Sequence, residues 1–352
     1  MTDEERPVHV RRRRYSGTNP RQFEERYKEH DPDRYAADVA KVLASGRTPA
    51  GMHRPIMVAE ILEVLDPAPG QLAVDLTLGY GGHAASLLKA VQPGGRLLAL
   101  DVDPIELPRA EARLRAMGLP PDSLIVRRSN FAGLAGALAA EALPPADVVL
   151  ADLGVSSMQI DNPSRGFSFK RPGPLDLRMN PRRGQPASAL LATHDAAALA
   201  TLFATNADEP LAHEIAQALV ARQRTTPILT TVDLADAIRE GLSSVPTKGR
   251  EIEDPDGAVR RVFQALRVAV NDEFGALDAL LRQLPDCVAQ GGRIAVLTFH
   301  SGEDRRVKQA FKDGLRGGVY SRISDAVVRA AAQERHANPR ASSAKLRWAV
   351  RS

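Results

Sequence analysis

From residue 52 onward, short apolar runs alternate with amphipathic segments, and the spacing predicts the elements. Met57–Leu65 reads as a helix, Leu72–Leu78 as a buried strand and Gly82–Val91 as a second helix. Arg96–Asp103 reads as a second strand, followed by a helix around Leu107–Met117. Ser123–Ser129 and Ala146–Gly154 read as strands three and four. Apolar strands separated by helices of this length indicate an α/β fold with a parallel sheet covered on both faces. The alternation then stops. Residues 155–185 are rich in Gly, Pro, Asn and Arg and show no strand pattern, and residues 186–242 look helical only. Leu211, Ile215 and Leu219 mark one helical face there, and Thr225–Thr231 reads as a turn. After residue 258 a single long helix is predicted to about Leu284, then a fifth strand at Gly291–Ser301 and a last one at Ala344–Val350. The expected architecture is a sheet domain (52–162 and 258–352) interrupted by an inserted helical substrate-recognition domain (163–257). Residues 1–51 form a basic extension with one helix at Pro32–Ala44.

Composition narrows the class. The chain has 352 residues, 43% hydrophobic and 26% charged, as in a soluble globular protein. No apolar run approaches the roughly 18 residues of a membrane span, and the first residues lack the apolar core of a secretory signal. The expectation is a cytoplasmic enzyme without a membrane partner. One cysteine, Cys287, excludes a disulfide framework and a cysteine zinc cluster. The net charge of +4 is compatible with nucleic acid without requiring it. The run Arg11 to Arg14 fits either a solvated tail or an arm for RNA phosphates. Aromatic residues, at 4%, are too few for extensive base-stacking platforms.

Candidate chemistry concentrates after the first strand. Gly79, Gly81 and Ala84 fit the nucleotide-binding turn, with Gly82 and His83 between them opening a helix. Asp101, at the end of strand two, is placed to accept hydrogen bonds from a ribose. Such a turn serves dinucleotides and S-adenosyl-L-methionine alike. Asp75, just before it, favours the second, because a carboxylate repels a pyrophosphate and suits a cationic amino group. Asn130 and Phe131 follow strand three, where an amide and an apolar ring suit adenine. Asp152 ends strand four, facing the reactive end of the cofactor.

The longer motifs resemble the RsmH (MraW) family of S-adenosylmethionine-dependent 16S ribosomal RNA cytosine-N4 methyltransferases. They include His53–Met57, Asp75–His83, Leu98–Pro104, Asp152–Ser157, Gln159–Asp161, Arg165–Phe169, Gly173–Pro181, Phe263–Asn271, Thr298–Ser301, Glu303–Arg305 and Asn338–Arg347. The resemblance implies a class I (Rossmann-like) methyltransferase sheet with an inserted helical domain. It implies cofactor contacts from Gly81, Gly82, His83, Asp101, Phe131, Asp152 and Gln159. The implied substrate is a cytidine in the decoding region of the small ribosomal subunit. The same chemistry on another RNA or DNA, and a cofactor-binding ribosome assembly factor, are the alternatives.

Methylating an exocyclic amine requires an acceptor for its hydrogens close to the methyl group. Asp152, with Ser156 and Ser157, is the candidate, and a purely cofactor-binding role for Asp152 is equally open. His300 fits either a base or a structural histidine. Lys170, Arg171, Arg178, Arg182 and Arg183, with Arg340, Lys345 and Arg347 near the C-terminus, are the candidates for RNA phosphates. No His, Asp and Glu spacing reads as a metal site. The oligomeric state is open, a homodimer included.

Overall fold

The computed structural model describes residues 55–243 and 254–352. The expected helix at Pro32–Ala44, the rest of the extension and His53 lie outside the described residues, as does the stretch 244–253 within the insert.

The sheet has seven strands in the order β3-β2-β1-β4-β5-β7-β6. They are β1 (Leu72–Asp75), β2 (Arg96–Asp101), β3 (Leu124–Arg128), β4 (Ala146–Asp152), β5 (Val288–Thr298), β6 (Tyr320–Ile323) and β7 (Lys345–Arg351). Strands β1 to β5 run parallel, and β7 is antiparallel to both β5 and β6. The chain order reverses between β1 and β4, and a crevice at such a switch point is where open α/β sheets bind ligands.

Every residue of β1 is buried, because both sheet faces are covered. On one face lie α1 (Val58–Leu65), α2 (Gly82–Ala90) and α3 (Leu107–Arg115), which bury Met57, Leu65, Leu87 and Leu114 against Ala73, Leu97 and Leu150. On the other lie α4 (Leu134–Ala140), α11 (Glu273–Cys287) and α12 (Ser301–Arg316), against Val74, Leu98, Val149 and Val296. Cys287, at the end of α11, is part of this second core, and burial pushes its thiol up to about 11.

A short helix, α5 (Ser157–Asp161), follows β4, and the chain then leaves the sheet. Helices α6 (Ala187–Thr193), α7 (Ala196–Ala207), α8 (Ala212–Thr225), α9 (Thr231–Ser243) and α10 (Pro255–Asn271) close a separate core around Phe203, Ile215, Ile238 and Val262. The single helix expected from 258 to 284 is two. Asp272 adopts a left-handed conformation (φ 47°) between α10 and α11. The break lets α10 pack inside the insert while α11 packs on the sheet, so the helical cluster extends to Asn271, beyond the expected boundary at 257. The fifth strand also starts earlier than expected, at Val288, with Gly291 at φ 73° beside a shift in its register with β4. Helices α4 and α12, strand β6 and the helix α13 (Ala332–Ala337) have no counterpart in the expected pattern.

Candidate functional site

The carboxyl ends of β1, β2 and β4 bring the acidic side chains together. Asp75 closes β1 and accepts a hydrogen bond from the Thr77 N–H at 3.0 Å. The Thr77 hydroxyl in turn accepts from the Asp152 N–H at 2.7 Å, so the ends of β1 and β4 are cross-linked. Asp101 closes β2, and its two carboxylate oxygens accept from the N–H groups of Gly79 (2.7 Å) and Asp103 (2.8 Å). It therefore holds the glycine turn itself, a task that a residue chosen only for a ribose would not show. Gly81 sits at φ 84° at the start of α2, and a Cβ on Gly82 would lie 2.5 Å from Pro55 Cγ. Only glycine meets both conditions cheaply.

His83, in the first turn of α2, places Nε2 3.5 Å from Asp152 Oδ2. Burial lowers His83 to about 4, so the imidazole is neutral at pH 7. Burial raises Asp152 to about 8, with the charges of Asp75 and Glu303 adding to the effect, and burial raises Asp75 to about 7. Burial likewise raises Asp101, against the hydrogen bonds it accepts. His83 Nε2 and Asp152 Oδ1 are buried and have no hydrogen-bond partner among the described residues. Buried polar atoms of this kind need a partner. A ligand with a cationic group and hydrogen-bond donors would satisfy the site and relieve its like-charged carboxylates.

Asp103 extends the network. Its Oδ2 accepts from Gln159 Nε2 (2.7 Å) and from Arg165 Nη1 (2.8 Å). Gln159 and Ser156 form a capping box at the start of α5, with Ser156 Oγ accepting from the Gln159 N–H at 3.2 Å. Thus Gly79, Asp101, Asp103, Gln159 and Ser156 form one hydrogen-bonded chain across four expected motifs. Ser157 begins α5 beside them. Asn130 caps the turn after β3 through the Ala132 N–H (2.8 Å), and Phe131 packs against the sheet core. The Ser129 N–H, donating to the Asp101 carbonyl at 3.0 Å, keeps that turn beside the end of β2.

Sequence reasoning missed the roles of Asp103 and Arg165. Arg165 is 6% exposed and also donates to the carbonyls of Arg178 and Met179 (3.2 and 2.8 Å), fixing the loop that leads into the insert. Asn271 holds the same loop, accepting from the Met179 N–H and donating to the Leu177 carbonyl. No local spacing signals these partners, which lie 62 and 92 residues apart in the chain.

The basic candidates divide. Lys170, Arg171, Arg182 and Arg183 are exposed. Arg178 is held by Asp176 through two hydrogen bonds and by the Gly184 carbonyl. Arg347 is turned inward, 7% exposed, with Nε 2.6 Å from Asp304, and Lys345 shares that carboxylate at 3.4 Å. Arg340 pairs with Asp161 at 2.8 Å. The expectation that Lys345 and Arg347 present free charge to RNA therefore conflicts with the packing, since Asp304 of α12 already binds both.

His300 stands just beyond β5, with Nε2 3.2 Å from Glu303 Oε1 but outside hydrogen-bonding angles. Glu273, His300 and Glu303 bring three donor atoms within 4.8 Å of one another. Arg267 holds Glu273 from two nitrogens (2.8 and 3.0 Å), so one of the cluster's two carboxylates is already paired with a guanidinium. It reads as an ion network beside the site, and the nearby His300 holds Glu303 below the usual carboxylate range against the effect of burial.

This strand order, the glycine turn held by Asp101, and acidic residues ending β1, β2 and β4 define an S-adenosyl-L-methionine-dependent methyltransferase. The comparisons with known proteins carry this further. The MraW methylase family matches residues 50–352. Ribosomal RNA small subunit methyltransferase H 1 of Lachnoclostridium phytofermentans is 48% identical over 352 residues, 100% of this chain and 95% of its own length. Its H 2 counterpart in Alkaliphilus metalliredigens is 49% identical over 343 residues, 97% of each chain. This chain belongs to the MraW methylase family. The first of those relatives spans residues 1–51 as well, whereas the methyltransferase H of Anaeromyxobacter sp. is 40% identical over 84% of this chain. Among solved structures, an SAM-dependent O-methyltransferase of Thermotoga maritima covers 89% of this chain and 71% of its own, at 10% identity and a TM-score of 0.40. The fold class rests on the strand order, not on that likeness.

Proposed function

We propose that this enzyme methylates the exocyclic N4 amine of a cytidine in small-subunit (16S) ribosomal RNA, in the decoding region, with S-adenosyl-L-methionine as donor. The target class follows the names of the full-length relatives, and the position follows the family resemblance of the motifs. The observation that carries the chemistry is Asp152, at the end of β4 in the switch-point crevice, with a buried carboxylate oxygen that no group among the described residues satisfies.

The bound cofactor supplies an electrophilic methyl group. The cytosine amine is a weak nucleophile, because its lone pair is delocalised into the ring. Its hydrogens need an acceptor as the new N–C bond forms and the S–C bond breaks, and the surplus proton leaves through that acceptor. Asp152 fills this role, and burial, with the nearby charges of Asp75 and Glu303 adding to it, keeps its carboxylate basic. Holding the amine in line contributes through orientation. The target base must leave its stack to reach the crevice. Ser156 and Ser157 shape the wall beside it at the start of α5. Methylation at cytosine C5 would need a cysteine nucleophile. The chain's one cysteine, Cys287, is buried immediately before β5, at the opposite end of that strand from the crevice.

Exposed Lys170 and Arg171, on the loop leading from β4 into the insert, are placed to contact RNA phosphates. No described helix is long and apolar enough to cross a membrane. A ribosomal substrate supports a cytoplasmic enzyme. The test is nucleoside mass spectrometry on small-subunit ribosomal RNA from cells with and without the protein. N4-methylcytidine should disappear without it and return with the wild type but not with Asp152→Ala. An unchanged nucleoside profile overturns the assignment.

A further inference from the structure

Helix α12 leaves the carboxyl end of β5 at Ser301, beside the crevice, and runs back along the sheet. Val307 and Phe311, four residues apart, face the core. The opposite face carries Arg305, Lys308, Gln309, Lys312 and Arg316, all exposed. Their spacing of three and four residues makes them one stripe. Arg305, Arg306, Lys308, Gln309 and Lys312 line a groove of about 470 Å³.

The charges in this stripe are treated unequally by the fold. Arg305 is bound by Asp208 at the end of α7 (2.9 Å to each oxygen), Arg306 lies 3.4 Å from Asp278, and Arg316 pairs with Asp313. The other basic candidates near the C-terminus, Arg340, Lys345 and Arg347, also have carboxylate partners. Lys308 and Lys312 have no carboxylate partner among the described residues. They lie one turn apart, about 6 Å along the helix. Asp313 is turned aside by Gln309 and Arg316.

We propose that the outer face of α12, centred on Lys308 and Lys312, binds the phosphate backbone of the RNA substrate away from the target nucleotide. This rests on the RNA-substrate reading above. Paired lysines without carboxylate partners suit a polyanion, and the groove they line lacks the aromatic platform that would read bases. The helix starts at the crevice, so a strand whose target base enters there can continue along it. The contact positions RNA and carries no sequence preference.

The test compares full-length wild type with Lys308→Ala/Lys312→Ala and Lys308→Arg/Lys312→Arg. Binding of deproteinised small-subunit ribosomal RNA is followed over a range of salt, with melting temperature and S-adenosyl-L-homocysteine binding as controls. Each lost phosphate contact lowers the slope of log affinity against log salt by about 0.7 to 0.9. The alanine pair should therefore lower the slope by about 1.4 to 1.8 and weaken RNA binding several-fold, while melting and S-adenosyl-L-homocysteine affinity hold. The arginine pair should keep the wild-type slope. A wild-type slope in the alanine variant overturns the α12 proposal alone. Failure of the wild type to methylate this RNA either free or in the assembled small subunit overturns the substrate reading, and the α12 proposal with it.

Discussion

His83 Nε2 lies 3.5 Å from Asp152 Oδ2, and the two groups are driven in opposite directions by the same burial. The imidazole is held neutral and the carboxyl is held largely protonated at pH 7, so their contact is not an ion pair. A cofactor bearing an ammonium and a sulfonium group should ionise Asp152 and Asp75. Binding near pH 7 is therefore expected to release protons, and affinity should rise from pH 6 to 8.5. Calorimetry in buffers of different ionisation enthalpy reads this directly. A binding enthalpy independent of buffer would contradict the proton release.

Linkage also fixes a stability effect without cofactor. The folded-state value of Asp152, about 8, lies above its ordinary value of 3.8. The protonated form favours the fold, and that contribution is lost as pH rises from about 4 through 8. Asp152→Asn removes the loss. It should stabilise the cofactor-free protein by about 1–2 kcal/mol at pH 8.5, allowing for the residue's 29% side-chain exposure, and by little at pH 4. Thermal melts at the two pH values check the sign. A variant equally or less stable than wild type at pH 8.5 would show that Asp152 is not strained in the fold.

Arg165 and Asp103 form a buried pair, 6% and 1% exposed in their side chains. Removing one partner of such a pair costs about 3–5 kcal/mol. Arg165→Ala should fall at the lower end, because Asp103 retains Gln159 and the backbone N–H donors of Ile105 (2.8 Å) and Glu106 (3.4 Å). The loop at 163–185 should become more sensitive to protease. A loss below about 1 kcal/mol in urea unfolding would mean that the pair does not tie the loop to the sheet.

Gly81→Ala tests the turn without steric collision. A Cβ there meets nothing closer than Leu114 Cγ at 3.6 Å, yet the left-handed φ of 84° penalises alanine by about 1–2 kcal/mol. If the strain is relieved by moving the turn, S-adenosyl-L-homocysteine affinity should fall about tenfold. Unchanged affinity and stability together would mean that the turn tolerates a side chain.

Cys287 should be inert. It is 3% exposed and its thiol is pushed up to about 11. A thiol reagent at pH 8 should label it only on unfolding, with a rate that follows the global transition in denaturant. Rapid labelling of the native enzyme would place the thiol in a different environment.

Much of this architecture was legible one segment at a time. The strands β1 to β5 and the helices α1 to α3 follow from apolar runs and amphipathic spacing, because a buried parallel strand must be apolar on both faces. The turn at Gly79–Gly82 and the carboxylates at the ends of β1, β2 and β4 follow from residue type at a strand end. What remained hidden were partnerships across the chain. The break at Asp272 looks like continuous helix, since both sides carry helical periodicity and only their packing against different cores separates them. Strand β6 escaped notice because two of its four residues, Ser321 and Arg322, are exposed.

The sequence by itself determined the sheet, the cofactor turn and the family, because those depend on local backbone demands and on long ordered motifs. Only the tertiary structure decided which charges are spent. Arg347 and Lys345 read as an RNA-facing pair, and the fold commits both to Asp304. Asp101 and Gln159 read as cofactor contacts, and the fold also makes them the supports of Gly79 and Asp103. The reason is physical: a side chain's chemistry is written in its residue type, but its availability depends on the partners that folding brings within about 3 Å of it.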